Sequence, residues 1–233
     1  MKKLLTLIVL INLLYACGPQ KATLTEIQTS KPVKLYETTK DYLNNNPMDV
    51  HVRAVIKDSS KQHITVKKFI DAETGLKNKK ALSAWALNYN GKNYFNLGYS
   101  DDVNHWRSYA KFDIEGRYCA IIVDDNSPVV LRTNGNYYGG GLTGVLIAES
   151  SKWNKNWKDK NGKKKKIIFI DTQKIKPKLM NRNPGSLGNY LTRRQLKKII
   201  KAYNIDVNTD KIKDVSFEKV IEIINYINSK EKE

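Results

Sequence analysis

The apolar positions of the chain change their spacing along its length. Residues 4 to 14 form an apolar run broken only by Thr6 and Asn12, and residues 18 to 34 are polar, rich in Thr, Lys and Gln, and aperiodic. From Leu35 onward, short apolar stretches alternate with turn-forming residues. That pattern predicts strands over 50–56, 63–66, 83–89, 92–97, 109–114, 118–123, 129–132, 143–148 and 167–171. Near the end the period lengthens. Thr192 and Gln195 make a capping box ahead of Leu196, Ile199, Ile200 and Tyr203, one apolar stripe of a helix. Ser216 opens a second helix with Glu218 at its positive end and Val220, Ile223, Ile224 and Ile227 as its stripe. The expected fold is α+β, an antiparallel β-rich body with a C-terminal pair of amphipathic helices that must dock on a partner surface. The expected divisions are a leader over 1–16, a flexible tether over 17–34, a β-rich domain over 35–183 and a helical appendage over 184–233 packed on the body.

Three connections can be read locally. Asn90-Gly91 joins Ala84–Tyr89 to Lys92–Leu97, and this dipeptide supplies the two positive φ angles of a type I′ hairpin turn. The polar insert Asp124-Asp125-Asn126-Ser127-Pro128 between Val123 and Val129 predicts a second hairpin. Residues 155–166 read as a third, turning at Asn161-Gly162 before the strand at Ile167.

Charge adds a constraint. The 233 residues carry 41 Lys+Arg against 23 Asp+Glu, a net charge of +18 with 40% hydrophobic residues, which excludes a multispanning helical membrane protein. Losing Lys2 and Lys3 with the leader lowers the charge from +18 to +16. The cations are 34 Lys and only 7 Arg, alongside 23 Asn, a bias that an AT-rich coding sequence produces by itself. A phosphate-reading surface would favour the bidentate fork of Arg, so the balance argues against nucleic acid as a partner.

Lys2, Lys3 and the apolar run have the layout of an export signal and are too short for a bilayer span. Leu14-Tyr15-Ala16-Cys17 then resembles the lipobox of bacterial lipoproteins, with Leu three before the Cys and a small residue just before it. The resemblance covers about the first twenty residues. It implies cleavage before Cys17, diacylation (palmitate) on its sulfur and acylation of the new amino terminus, which anchors the protein to a membrane that it does not span. Gly18 stands where an inner-membrane retention signal has Asp, and no acidic cluster follows, so the implied place is the outer membrane facing the periplasm. Beyond the leader the chain resembles the small β-rich lipoproteins of unknown function found in bacterial envelopes.

Candidate chemistry is sparse. Cys119 is the only other cysteine and lies in an apolar strand, where burial suppresses the thiolate. His51, His63 and His105 are too scattered for a zinc motif. Asp206, Asn208 and Asp210 alternate like a calcium loop, but Lys211 occupies the glycine position and Phe217 the closing carboxylate. Gly139-Gly140-Gly141 lacks the Lys-Ser/Thr ending of a phosphate cradle, and Asp124 and Asp125 face opposite ways on an extended chain. No catalytic residue, cofactor or metal ligand is assigned. The expectation is a non-enzymatic binding or structural protein.

Two surfaces are candidates for binding. Lys155, Lys158, Lys160, Lys163, Lys164, Lys165 and Lys166, with Trp157 among them, form a dense basic stretch suited to docking on lipid headgroups or an anionic glycan. Trp85, Tyr89, Tyr94, Trp106, Tyr137 and Tyr138, interleaved with Asn88, Asn93, Asn96, Asn134 and Asn136, are either core or a sugar-stacking surface. Expected partners are the membrane through its lipid, and then peptidoglycan, another anionic glycan, or an envelope protein assembly to which this chain is an accessory subunit.

Overall fold

The structure, a computed structural model, describes residues 21–48, 51–103, 105–124, 155–177 and 183–231. Order begins earlier than the predicted tether allows. Lys21 bridges to Leu76, and a capping box between Thr23 and Glu26 opens helix α1 (Leu24–Thr29). The chain continues through β1 (Lys31–Pro32), β2 (Lys34–Tyr36), helix α2 (Thr39–Leu43), β3 (Val52–Ser59), β4 (His63–Asp71), β5 (Ala86–Tyr89), β6 (Lys92–Asn96) and β7 (Ser108–Lys111). Residues 21–34 thus belong to the folded body, because Ala22 and Ile27 have apolar partners in Val55 and Ile70.

These strands form one antiparallel sheet in the order β1-β3-β4-β7-β6-β5-β2. Its two edges are successive halves of one stretch, residues 31–36. The first half pairs with β3 and the second with β5, so the sheet curls into a near-barrel and hides both edges. Leu35, Val52, Ala54, Val66, Phe69, Leu87, Tyr94 and Tyr109 fill its interior. The predicted Asn-Gly hairpin is present in the predicted register, with Asn90 at φ 51° and Gly91 at φ 72°. Trp85 leaves the face that alternation assigns it. It belongs to the packing outside the barrel with Ala86, while Leu87 points inward.

A second antiparallel sheet follows: β8 (Tyr118–Asp124), β9 (Trp157–Lys158), β10 (Lys164–Lys176) and β11 (Gly185–Tyr190), with β10 between β8 and β11 and β9 beside the start of β10. Its runs Cys119–Val123 and Ile167–Ile170 are apolar at nearly every position because both faces are covered. Cys119, Ile121, Val123, Ile168 and Ile170 face the barrel, while Tyr118, Ala120 and Ile167 face two helices, α3 (Arg193–Ala202) and α4 (Phe217–Lys230). The body is therefore stacked as barrel, sheet and helices. β11 lies inside the predicted helical appendage, so the appendage begins after residue 190 and not at 184. Both helices carry the caps read from the sequence, on Thr192 and Ser216. The hairpin expected at 124–128 and the strands expected at 129–132 and 143–148 lie outside the described residues, as does the leader.

Candidate functional site

The lysine-rich stretch folds as a hairpin of β9 and β10. Asp159 shapes its turn, since Oδ1 accepts the N–H groups of Asn161 and Lys163, both at 2.9 Å. Gly162 closes it at φ 76°, and Asn161 keeps an ordinary φ. The turn is thus Asp159–Gly162 with one left-handed residue, not the type I′ pair that Asn161-Gly162 predicts. The hairpin is held by both helices. Arg193 of α3 donates to the Asn156 carbonyl at 3.0 Å, and its guanidinium lies 4.8 Å from the centre of the Trp157 ring. The Lys160 N–H donates to Glu218 Oε1 of α4 at 3.0 Å, and this bond foremost holds the Glu218 carboxyl below the usual carboxylate range.

The eight predicted docking residues fall into two groups by exposure. Lys158, Lys160, Lys163 and Lys164 are exposed. Lys165 is half-buried, paired with Asp124 at 3.0 Å and set 5.5 Å from the Phe217 ring centre. Lys166 is only 9% exposed, its Nζ 5.1 Å from the Tyr190 ring centre, and Lys155 lies 5.7 Å from the same ring. Trp157 corrects the expectation of a tryptophan at the interface. It is fully buried between sheet and helices, and its Nε1 donates to the Leu191 carbonyl at 3.3 Å. The indole fixes to the body the hairpin on which Lys158, Lys160, Lys163 and Lys164 are exposed.

Asp102 explains why Lys155 does not join them. Its Oδ1 pairs with Lys155 Nζ at 2.7 Å, and its Oδ2 accepts the Tyr190 N–H at 2.6 Å. These residues are distant in sequence and carry no motif, so only the fold brings them together. A second grouping also escapes local reading. The Tyr42 hydroxyl donates to Glu115 Oε2, which also accepts from Asn93 Nδ2 at 2.8 Å, and Asn88 Nδ2 donates to Asn93 Oδ1 at 2.7 Å. Burial first, and the Glu115 contact after it, push the Tyr42 phenol above its ordinary range. The ring itself is packed into the aromatic layer, 5.2 Å from Trp85 and 5.4 Å from Phe112.

Among the described residues, half of the predicted aromatic surface is core. Trp85 and Tyr94 are buried, Tyr89 is half-buried, and only Trp106 is substantially open at 38%. Asn96 is buried as well, its amide donating to the Ala84 carbonyl at 2.8 Å and its oxygen accepting the Gly98 N–H. Tyr137, Tyr138, Asn134 and Asn136 lie outside the described residues, as do Gly139-Gly140-Gly141 and Asp125. Cys119 is buried as expected, and desolvation pushes its thiol up to about 12. His105 Nδ1 shares a hydrogen bond with Ser108 Oγ at 2.7 Å, while His63 is buried and His51 exposed. Among the described residues, no three His, Cys, Asp or Glu side chains converge as a metal shell would require. The Asp206–Asp214 segment ends in a 3-10 helix, Thr209–Asp214, capped by Asn208, and Asp210 pairs with Lys197 at 3.4 Å.

Fold and site together define an α+β protein in which a sheet, roofed by two helices, is built onto a near-barrel and carries a cationic hairpin. Residues 34–184 match the family of unknown function DUF6563, and the chain belongs to that family. The match spans the barrel from β2 onward and the sheet through β10, and it ends before β11 and the helices. No curated protein and no solved structure matches the chain.

Proposed function

We propose that the protein is a lipid-anchored component of a bacterial cell envelope that works by binding an anionic surface and not by catalysis. The anchor is Cys17, on the strength of Leu14-Tyr15-Ala16-Cys17 behind a cationic, apolar leader. The observation that carries the binding reading is the group Lys158, Lys160, Lys163 and Lys164, exposed together on a hairpin that Trp157, Arg193 and Glu218 hold in place. A hairpin whose backbone is already held needs little further ordering on meeting a polyanion, so the cost of binding falls on the lysine side chains alone.

Two measurements test the reading. Cells grown with labelled palmitate should incorporate it into the wild-type chain, which should fractionate with membranes, and Cys17→Ser should abolish both. The protein should co-sediment with purified sacculi at low salt and lose that binding as salt rises, and the combined K158Q, K160Q, K163Q and K164Q variant should lose most of it. Unlabelled wild-type protein, or binding indifferent to these four lysines, would contradict the respective half of the proposal.

A further inference from the structure

Lys21 and the cationic hairpin lie on opposite sides of the barrel. Lys21, four residues after Cys17, bridges to Leu76, and α1 packs through Ala22 and Ile27 on the outer face of β3 and β4. In the strand order, β3 and β4 stand across the barrel from β6 and β5. The outer face of β5 and β6 is covered by the second sheet through Ala86 and Phe95, and α3 and α4 lie beyond that sheet. Four layer spacings of about 10 Å put α1 and the helical layer about 40 Å apart. The chain from Cys17 to Lys21, fully extended, reaches only about 14 Å. A lipid on Cys17 therefore holds the α1 end of the body near the bilayer, and a body that stands on this end carries the helical layer about 40 Å away from it.

That far side is more basic than the hairpin alone. α3 carries Arg193, Arg194, Lys197, Lys198 and Lys201 and no acidic residue. Arg194, Lys198 and Lys201 recur at i, i+4 and i+7, all exposed, on the side of the helix opposite the buried Leu196 and Ile200. Among nearby carboxylates, Asp210 pairs with Lys197, Glu218 accepts the Lys160 N–H, and Glu222 pairs with Lys219 at 2.8 Å.

We infer that Arg194, Lys198 and Lys201, together with Lys160 and Lys163 of the adjoining turn, form one docking face directed away from the anchoring bilayer, and that its partner is a carboxylate-bearing cell-wall glycan of the peptidoglycan class. The inference rests on the proposed lipid anchor at Cys17. Charge complementarity selects a polyanion, and a body that stands on its α1 end holds this face beyond the headgroups of the anchoring bilayer. The protein then links a membrane to the wall polymer across the thickness of its own fold.

The test uses the full-length lipidated protein in phosphatidylcholine vesicles, with and without phosphatidylglycerol, containing a lipid-bound quencher. A thiol-reactive fluorophore is placed on Thr25→Cys in α1 or on Asn161→Cys in the hairpin turn, both exposed positions. Cys119 does not compete, being buried with its thiol pushed up to about 12. The α1 label should be quenched several-fold more strongly than the hairpin label in both lipid mixtures. Purified sacculi should then associate with vesicles carrying the wild-type protein and fail to associate with vesicles carrying Arg194→Gln, Lys198→Gln and Lys201→Gln together. Equal quenching of the two labels in phosphatidylglycerol vesicles would overturn the orientation, and undiminished sacculus binding by the triple variant would overturn the face. Protein that never associates with vesicles would instead refute the anchor itself.

Discussion

The second sheet is packed on both faces, but the two interfaces are made of different material. Toward the barrel it meets rings: Trp85 lies edge-on to Phe95 at 5.4 Å and stacks with Phe112 at 5.9 Å, with Tyr42 and Tyr36 completing the layer. Trp85 Nε1 also donates to the Ser186 carbonyl at 2.8 Å, and Gly185 and Gly188 leave room for the Trp85 and Phe95 rings. Toward the helices it meets mostly branched aliphatics, Leu196, Ile200, Val220, Ile223, Ile224 and Ile227, together with Trp157, an edge contact of Tyr118 with Tyr203 at 6.1 Å, and the Asn228 amide, which bonds both the N–H and the carbonyl of Tyr118 at 2.8 Å. Flat rings with polar handles fix one relative position of two sheets, whereas aliphatic side chains on a helix repack among several. The barrel interface is therefore keyed by a cluster of rings, and the helical interface, fixed at Asn228 and Trp157, draws most of its contact from aliphatic area.

The largest effect should come from removing the key. Trp85→Ala deletes a fully buried indole and leaves the Ser186 carbonyl without its donor, so it should lower stability by about 3–5 kcal/mol, seen as a lower urea midpoint. A loss below 1 kcal/mol would mean that the two sheets reseat without the ring and that the interface is not keyed.

A smaller test compares one methyl group on each side. Gly185→Ala adds a methyl directed at Trp85 Cδ1, which cannot retreat while its Nε1 stays bonded to Ser186, and overpacking of this kind costs about 1–3 kcal/mol. Ile224→Val removes one from the helical interface, where neighbours on α3 and α4 can close in, at about 0.5–1.5 kcal/mol. Thermal unfolding of the two variants should rank them in that order. The reverse ranking would assign the close fit to the helices.

What could be read from the sequence follows the same division. The helices were legible because period and caps are local: Thr192, Gln195 and Ser216 mark starts, and the stripes give the buried face. The Asn90-Gly91 hairpin was legible for the same reason. The barrel closure was not, since residues 31–36 are too few to alternate clearly and become a strand only by pairing with β3 at one half and β5 at the other. α1 was hidden in a polar stretch, because its apolar contact reduces to Ala22 and Ile27. At the candidate site, the density of lysines pointed to the hairpin. Which four are exposed depended on what the fold lays over the start of β10, and the inward turn of Trp157 depended on a helical layer that no local pattern places there. The α3 stripe was present in the spacing of Arg194, Lys198 and Lys201, but basic residues on a solvated helix face carry no signal until the fold shows where that face points.

The outermost layer extends the comparison to a third kind of packing. α1 has little apolar contact and is pinned by charge: Glu26 accepts from Lys67 at 3.0 Å and from Lys68 at 2.5 Å, and also from the Thr23 N–H at 3.0 Å. These bonds, with that from Lys68 the largest, lower the Glu26 carboxyl to about 2 from a usual 4.5. A carboxyl whose pKa is depressed by folding contributes its full stabilisation above the unfolded value, and that contribution fades as the pH falls from 4.5 through about 2. Amide hydrogen exchange should therefore show residues 22–29 losing protection across that window while Phe95 and Ile168, buried in the keyed interface, keep theirs. In Glu26→Gln, which retains the side-chain oxygen without the charge, protection of 22–29 should be lower at neutral pH and flat across the same range. Loss of protection at the same pH in α1 and in the barrel would show that α1 does not open on its own, and the charge that pins it would then be part of the same cooperative unit as the rings around Trp85.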